Sequence, residues 1–160
     1  AVVLNPTTVF GPGDVHLSTG EILTLIAKGK AFAVPKGIVN IIDVRDVAQA
    51  HISAAENGKS GERYILGGEN FLIQEAAELV SHVAGVSPPK LTLPDWIVKL
   101  YINTTDKIPL FPPAPFHIKA FEHWQGYNTE KAERELGLST RPLQSTIKDS
   151  LLWFKDQGIF

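Results

Sequence analysis

The opening run Ala1-Val2-Val3-Leu4, broken at Asn5-Pro6, constrains the fold more than any other stretch. A strand of only apolar residues belongs in the interior of a parallel sheet, covered on both faces; an edge strand would normally alternate or carry a charge. Here it is the first element, with nothing before it to supply neighbours. The sequence contains no Met, and the two features together lead to the expectation that residue 1 lies inside a longer chain.

The remaining pattern alternates strands with helices. Ser18 and Glu21 have the spacing of a capping box, and Ile22, Leu25 and Ile26 form a helical stripe, predicting a helix over 19–28 stopped by Gly29. Residues 38–42 are β-branched and apolar around a single Asn40 and predict a strand; Asp46 is expected to cap a helix that runs to about 57 and ends at Gly58. Arg63-Tyr64-Ile65-Leu66 predicts a further strand, Gly67-Gly68 a turn, and Ile73, Ala76, Ala77, Val80 and Val83 a helix closed by Gly85. A short strand over 90–93, a helix from 94–95 through Trp96, Leu100 and Tyr101, a helix over 129–136 and a last one opened by Pro142 complete the series. The fold class is α/β: a small mixed sheet with flanking helices. Residues 105–125 are irregular, with four prolines among Phe111, Phe116, Phe121 and Trp124, and predict a covering loop with a short helix from about 115.

Composition narrows the chemistry. Cysteine is absent, which removes disulfides, thiolate nucleophiles and Cys-ligated metals. Fifteen basic residues against 17 acidic ones, with no basic tract, give no footprint for nucleic acid or an anionic membrane. No apolar run reaches the ~20 residues of a membrane span, and no basic-then-apolar leader opens the chain, so the expected location is the cytoplasm. His117 and His123 stand six apart, unlike a helical metal pair, and no metal site is expected. His51 falls among Val47, Ala50 and Ala54 and is expected in the core.

Five segments in order carry a family resemblance: residues 5–14 (Asn-Pro-Thr-Thr-Val-Phe-Gly-Pro-Gly-Asp), residues 40–48 (Asn-Ile-Ile-Asp-Val-Arg-Asp-Val-Ala), residues 61–70 (Gly-Glu-Arg-Tyr-Ile-Leu-Gly-Gly-Glu-Asn), residues 131–137 (Lys-Ala-Glu-Arg-Glu-Leu-Gly) and the closing amphipathic helix. Together they resemble the C-terminal half of an extended short-chain dehydrogenase/reductase of the NAD-dependent epimerase/dehydratase family, nearest its dihydroflavonol-reductase-like and hopanoid-associated sugar epimerase branch. The resemblance implies a single substrate-binding domain over 1–160, residues 1–14 being the last part of a cofactor-binding sheet and 105–125 a substrate cover. It implies NAD or NADP as cofactor, bound only with an N-terminal Rossmann half that this sequence lacks, since no Gly-rich phosphate turn occurs in it. Pro6, Thr7, Thr8 and Val9 match the family segment that lies against the nicotinamide, whereas the catalytic Tyr and Lys of the family belong to the half not present here. Trp96, Tyr101, Phe111, Phe116, Phe121 and Trp124 are the candidate substrate-binding residues, suited to an apolar or ring-shaped carbonyl or alcohol substrate.

Tyr127 and Lys131 spell Tyr-x-x-x-Lys, but Tyr127 precedes the expected cap Thr129, so the pair would straddle a helix start rather than share a helix face. Three positions depart from the family pattern. Val39 stands where the nucleotide-sugar branch has a diphosphate-binding Arg, Asp43 where a His or Tyr is usual, and Leu72 where a Ser or Thr cap is expected. The chain alone is therefore expected to be inactive and to self-associate through its uncovered first strand. The alternative from another class is a stand-alone binding or scaffold domain without catalysis.

Overall fold

The computed structural model describes residues 1–107 and 125–159, with side chains described for all but 105–107. Its thirteen elements among these residues are β1 (Val3–Pro6), β2 (Thr8–Phe10), α1 (Gly20–Ala27), β3 (Ala33–Pro35), β4 (Ile38–Asp43), α2 (Val44–Asn57), β5 (Arg63–Leu66), β6 (Glu69–Leu72), α3 (Ile73–Ala84), β7 (Leu91–Leu93), α4 (Asp95–Lys107), α5 (Glu130–Leu136) and α6 (Leu143–Asp156). The α/β alternation is thus present, and three short strands join it that the sequence pattern does not predict, β2, β3 and β6. Three residues of β3 end in a proline, and β6 has Glu69 and Asn70 where a strand pattern asks for apolar residues. Tertiary pairing overrides weak local propensity in both.

The pairing is arranged in three small sheets. β1 runs parallel to β5, β2 runs parallel to β4 while β6 is antiparallel to β4, and β3 runs parallel to β7. β1 and β2 are separated by Thr7 alone. At that residue, whose N–H makes a last bond to the Leu66 carbonyl (3.0 Å), the chain leaves β5 and crosses to β4.

β4 divides the core. Val39 and Ile41 face one cluster with Phe10, Leu23, Ile26, Ile73, Val80, Ile147, Leu151 and Phe154; Ile42, on the opposite face, meets Val47, Ala54, Tyr64, Leu66, Ala132 and Leu136. This is the period-two alternation of a strand that separates two apolar layers. Phe154 and Ile147 are completely buried, and each such side chain contributes roughly 1.5–3 kcal/mol of transfer free energy. α3 ends on Gly85 and α5 on Gly137, both in the left-handed conformation that closes a helix.

Two helix starts differ from expectation. For α1, Ser18 and Glu21 form no capping box; the Asp14 carboxylate, from the preceding turn, accepts the N–H groups of Ser18 (3.0 Å) and Gly20 (2.8 Å) instead. For α2 the cap is Asp43, whose carboxylate accepts the Arg45 N–H, and Asp46 lies inside the first turn. Two aspartates three residues apart both suit a helix entrance, and the extended backbone of Asp43 at the end of β4 decides between them. His51 is exposed, its Nδ1 within 2.8 Å of the Val47 carbonyl, and so is not a core residue.

Residues 1–4 are not covered on both faces by described residues. Val3 is 40% exposed and Leu4 half-buried, and β1 has no described neighbour on the side away from β5.

Candidate functional site

The parallel strands β1 and β5 end together, at Pro6 and Leu66, and the Gly67-Gly68 turn follows directly. In α/β sheets the carboxyl ends of parallel strands are where ligands bind. Pro6 is exposed, and Thr7, Thr8 and Val9 are half-buried; the stretch is not sealed beneath α1, although the Thr19 hydroxyl of that helix's cap donates to the Val9 carbonyl at 2.5 Å.

Behind this edge lies a polar cluster that sequence reasoning missed. Asn40, 1% exposed in the middle of β4, accepts at Oδ1 from the Thr7 hydroxyl (2.8 Å) and the Gly68 N–H (3.0 Å). Its Nδ2 donates to the Gly68 carbonyl (2.9 Å) and to Asn70 Oδ1 (2.7 Å). Asn70, opposite it in the register of β6, then closes a pair of bonds with the Tyr127 backbone: Tyr127 N–H donates to Oδ1 and Nδ2 donates to the Tyr127 carbonyl, both at 3.0 Å. All four hydrogen-bonding positions of the Asn40 amide are used, which is what a buried amide requires to be tolerated. The one available signal was a lone Asn inside the β-branched run of residues 38–42.

The glycine turn fits around this cluster by having no side chains. A Cβ on Gly67 would stand 2.3 Å from Asn40 Oδ1, and one on Gly68 would stand 2.1 Å from the Ile41 carbonyl oxygen.

The candidate substrate-binding residues divide. Phe111, Phe116, Phe121 and Trp124 lie outside the described residues, as do His117 and His123. Trp96 and Tyr101, on α4, are 65% and 47% exposed, while Val98 and Ile102 turn inward against Leu93. Five residues of helix rotate a side chain by roughly 140°, so Trp96 and Tyr101 do not share a face; Leu100, 58% exposed, is the residue aligned with Trp96.

Tyr127 and Lys131 are not a dyad. Lys131 Nζ bonds the Glu62 carboxylate (2.5 Å) and the Arg63 carbonyl (2.9 Å) and lies 4.7 Å from the centre of the Tyr64 ring. The Glu62 contact, foremost, holds its ammonium above the usual lysine range. Val39 is buried in the first core cluster, so position 39 presents nothing to a ligand.

A second concavity, of about 280 Å³, lies on the Asp43 side of β4 between β6 and the start of α6, and is lined by Asp43, Glu69, Phe71, Arg141 and Thr146 among others. Its floor is an ion-pair network. Asp43 accepts from Arg45 Nε (2.9 Å) and Nη2 (2.7 Å) and from Arg141 Nη1 (3.1 Å), while Asp46 takes the Arg141 N–H (2.9 Å) and pairs with its guanidinium (3.1 Å). Burial pushes the Asp43 carboxyl upward, but the Arg45 side chain and N–H and the Thr146 hydroxyl outweigh it and hold the group well below the usual carboxylate range. Among the described residues no buried side-chain polar atom lacks a partner, and the arrangement reads as a structural clamp on the α2 entrance. Asp46 has a structural role, as the sequence suggests, but through Arg141 rather than through its own helix. Among the described residues no group of His, Asp and Glu could hold a metal ion, and no helix is long and apolar enough to cross a membrane.

No family model matches the chain. Among curated proteins, a Synechocystis sp. protein that bears the name of a dihydroflavonol 4-reductase is 34% identical over 98% of this chain and 49% of its own length. Among solved structures, a nucleoside-diphosphate-sugar epimerase from Pseudomonas aeruginosa is 26% identical, with a TM-score of 0.84 over 99% of this chain and 49% of that one. The UDP-glucuronic acid 4-epimerase of Bacillus cereus, solved with NAD, shares the fold at 17% identity, with a TM-score of 0.66 over 98% of this chain and 45% of that one. The chain spans about half the length of the curated relatives it matches. The five ordered segments, the α/β architecture and these matches make the chain similar to the C-terminal half of NAD-dependent epimerases/dehydratases and related short-chain dehydrogenases/reductases.

Proposed function

We propose that this chain is the substrate-binding portion of an NAD- or NADP-dependent oxidoreductase or epimerase that acts at a carbonyl or alcohol carbon. The observation that carries the reading is the near-complete match of the chain to half of its relatives, together with the open carboxyl edge of β1 at Pro6. In this reading residues 6–9 lie along the nicotinamide, and the side chains from Trp96 to Trp124 cover the substrate. The acid/base groups and the phosphate-binding turn come from an N-terminal Rossmann half, the chain's intramolecular partner. Within that arrangement this half shapes specificity while the cofactor carries the hydride.

The substrate proposed is an apolar or ring-shaped carbonyl or alcohol compound. The valine sealed at position 39 supports this over a nucleotide sugar, since no cation is offered there for a diphosphate. The location proposed is the cytoplasm.

The test has two arms. The natural reading frame around residue 1 is sequenced and its full product assayed for oxidation of NADH and NADPH with a panel of carbonyl compounds, while this chain alone is assayed in parallel. Turnover by the full product and none by the chain is expected. A frame opening at residue 1, or a full product that turns over no carbonyl compound with either cofactor, would refute the reading in favour of a non-catalytic binding domain. Tight uridine diphosphate binding that is lost on altering residues 94–125 would overturn the substrate preference.

A further inference from the structure

We propose that Asn40 and Asn70 are positioning residues that couple the β1–β2 crossing at Thr7 to Tyr127, at the C-terminal root of the 105–125 segment. The inference rests on the functional reading above for its consequence, because that reading places the cofactor at Thr7 and the substrate cover in the segment that precedes Tyr127. The geometry of the coupling stands independently of it.

The path is a single chain of short bonds. Thr7 donates to Asn40, Asn40 donates to Asn70, and Asn70 holds both backbone groups of Tyr127, with Gly68 tied twice to Asn40 at the branch. The amide of Asn40 has no spare donor or acceptor, so its orientation is fixed by all of its partners at once. Loss of the Thr7 hydroxyl leaves Oδ1 short of a donor beside an amide that is 99% covered, where water does not replace it without rearrangement; loss of the exposed Asn70 side chain leaves Nδ2 short of its protein acceptor and frees the Tyr127 backbone. A shift at Thr7 on one side is therefore felt at Tyr127 on the other, and binding at one place changes how firmly the other is held.

The experiment uses amide hydrogen exchange in this chain and NADH titration of the full reading-frame product. Thr7→Val keeps the side-chain shape and removes the donor; it is expected to speed exchange at the Gly68 and Tyr127 amides by about three- to tenfold, and Thr7→Ser to restore them. Asn70→Ala is expected to speed exchange at Tyr127 by at least about tenfold and also at Gly68, which it does not touch. In the full product, Asn70→Ala is expected to weaken NADH binding by about two- to fivefold although Asn70 is not placed at the cofactor. Unchanged Tyr127 exchange in Thr7→Val, with the variant folded by circular dichroism, overturns the coupling. If exchange responds as expected but the parent full product binds no NADH, the coupling stands and the functional reading fails; if the parent binds NADH and Asn70→Ala binds it equally well, the positioning role fails.

Discussion

Replacing Asp43 with Asn should destabilise the chain by about 2 kcal/mol, and by an amount that disappears in acid. The Asp43 side chain is completely buried, and besides the Thr146 hydroxyl four donors converge on it: the Arg45 N–H, Arg45 Nε and Nη2, and Arg141 Nη1. An asparagine can retain the bond to the Arg45 N–H through its carbonyl oxygen, so the helix cap survives in part. It loses the charge that draws both guanidinium groups, and its amide hydrogens then face them. Those arginine side chains are 40% and 35% exposed, so solvent screens each contact; about 0.5–1 kcal/mol apiece is appropriate for the three side-chain bonds, below the ~1.5–3 kcal/mol of fully buried charged bonds. Alanine also forfeits the cap, worth about 1 kcal/mol, and leaves arginines facing a void, for a total of roughly 3–4 kcal/mol.

The pH dependence has a definite sign. The folded-state pKa of Asp43 is depressed well below the unfolded value of ~3.9, so the folded state keeps the carboxylate ionised where the unfolded state binds a proton. The stabilisation is complete above about pH 5 and is lost as the pH falls through the unfolded pKa towards the folded one. Urea denaturation of the parent and of Asp43→Asn at pH 7, 5, 4 and 3 should give a gap that is constant between the first two and shrinks below pH 4. A gap under about 0.5 kcal/mol at pH 7, or one that widens with acid, would refute the assignment of Asp43 as the ionised centre of the clamp.

Gly68→Ala should cost at least about 3 kcal/mol, measured as a lowered urea midpoint, because its Cβ would meet the Ile41 carbonyl oxygen at 2.1 Å in a backbone ladder that cannot yield cheaply. Lys131→Met should leave nicotinamide-dependent turnover of the full product within about twofold of the parent, since the ammonium is committed to Glu62 and the Tyr64 ring; a loss of a hundredfold or more would reinstate the Tyr-x-x-x-Lys reading. Sedimentation of the isolated chain should show a dimer or larger species, reduced by Val3→Lys, because β1 has one edge with no described partner and Val3 stands exposed on it; a stable monomer at high concentration would remove the proposal.

What was legible in the sequence follows from how local each signal is. The helices α3 and α5 were read nearly to the residue, because an apolar stripe at helical spacing and a terminal glycine are both written within a dozen positions. β4 was read from its β-branched run, and β3 and β6 were not read, because short strands are held by neighbours distant in sequence: β6 by β4, and β3 by β7. The exchange of Asp46 for Asp43 as helix cap has the same origin. Both aspartates suit a cap locally, and only the partner of each carboxylate separates them, Arg141 being nearly a hundred positions away.

The same distinction governs the candidate site. The segment containing Thr7 was found because its residues match a family pattern, but what fixes that segment in place is spread over four parts of the chain, at Asn40, Gly68, Asn70 and Tyr127, none of which is notable alone. The partners of this buried amide arrive from the β1–β2 crossing, the glycine turn and β6, so the group is invisible to any reading based on spacing and becomes evident once the strands are placed. Its conspicuous local trace is the interruption of an apolar strand by one asparagine. That interruption costs desolvation unless the amide is fully paired, which makes a polar residue in an otherwise buried strand a place to look for a constraint linking distant segments. Here the segments it links are the sheet edge at Thr7 and the backbone at Tyr127, and the bonds between them pass beside a turn where only glycine fits.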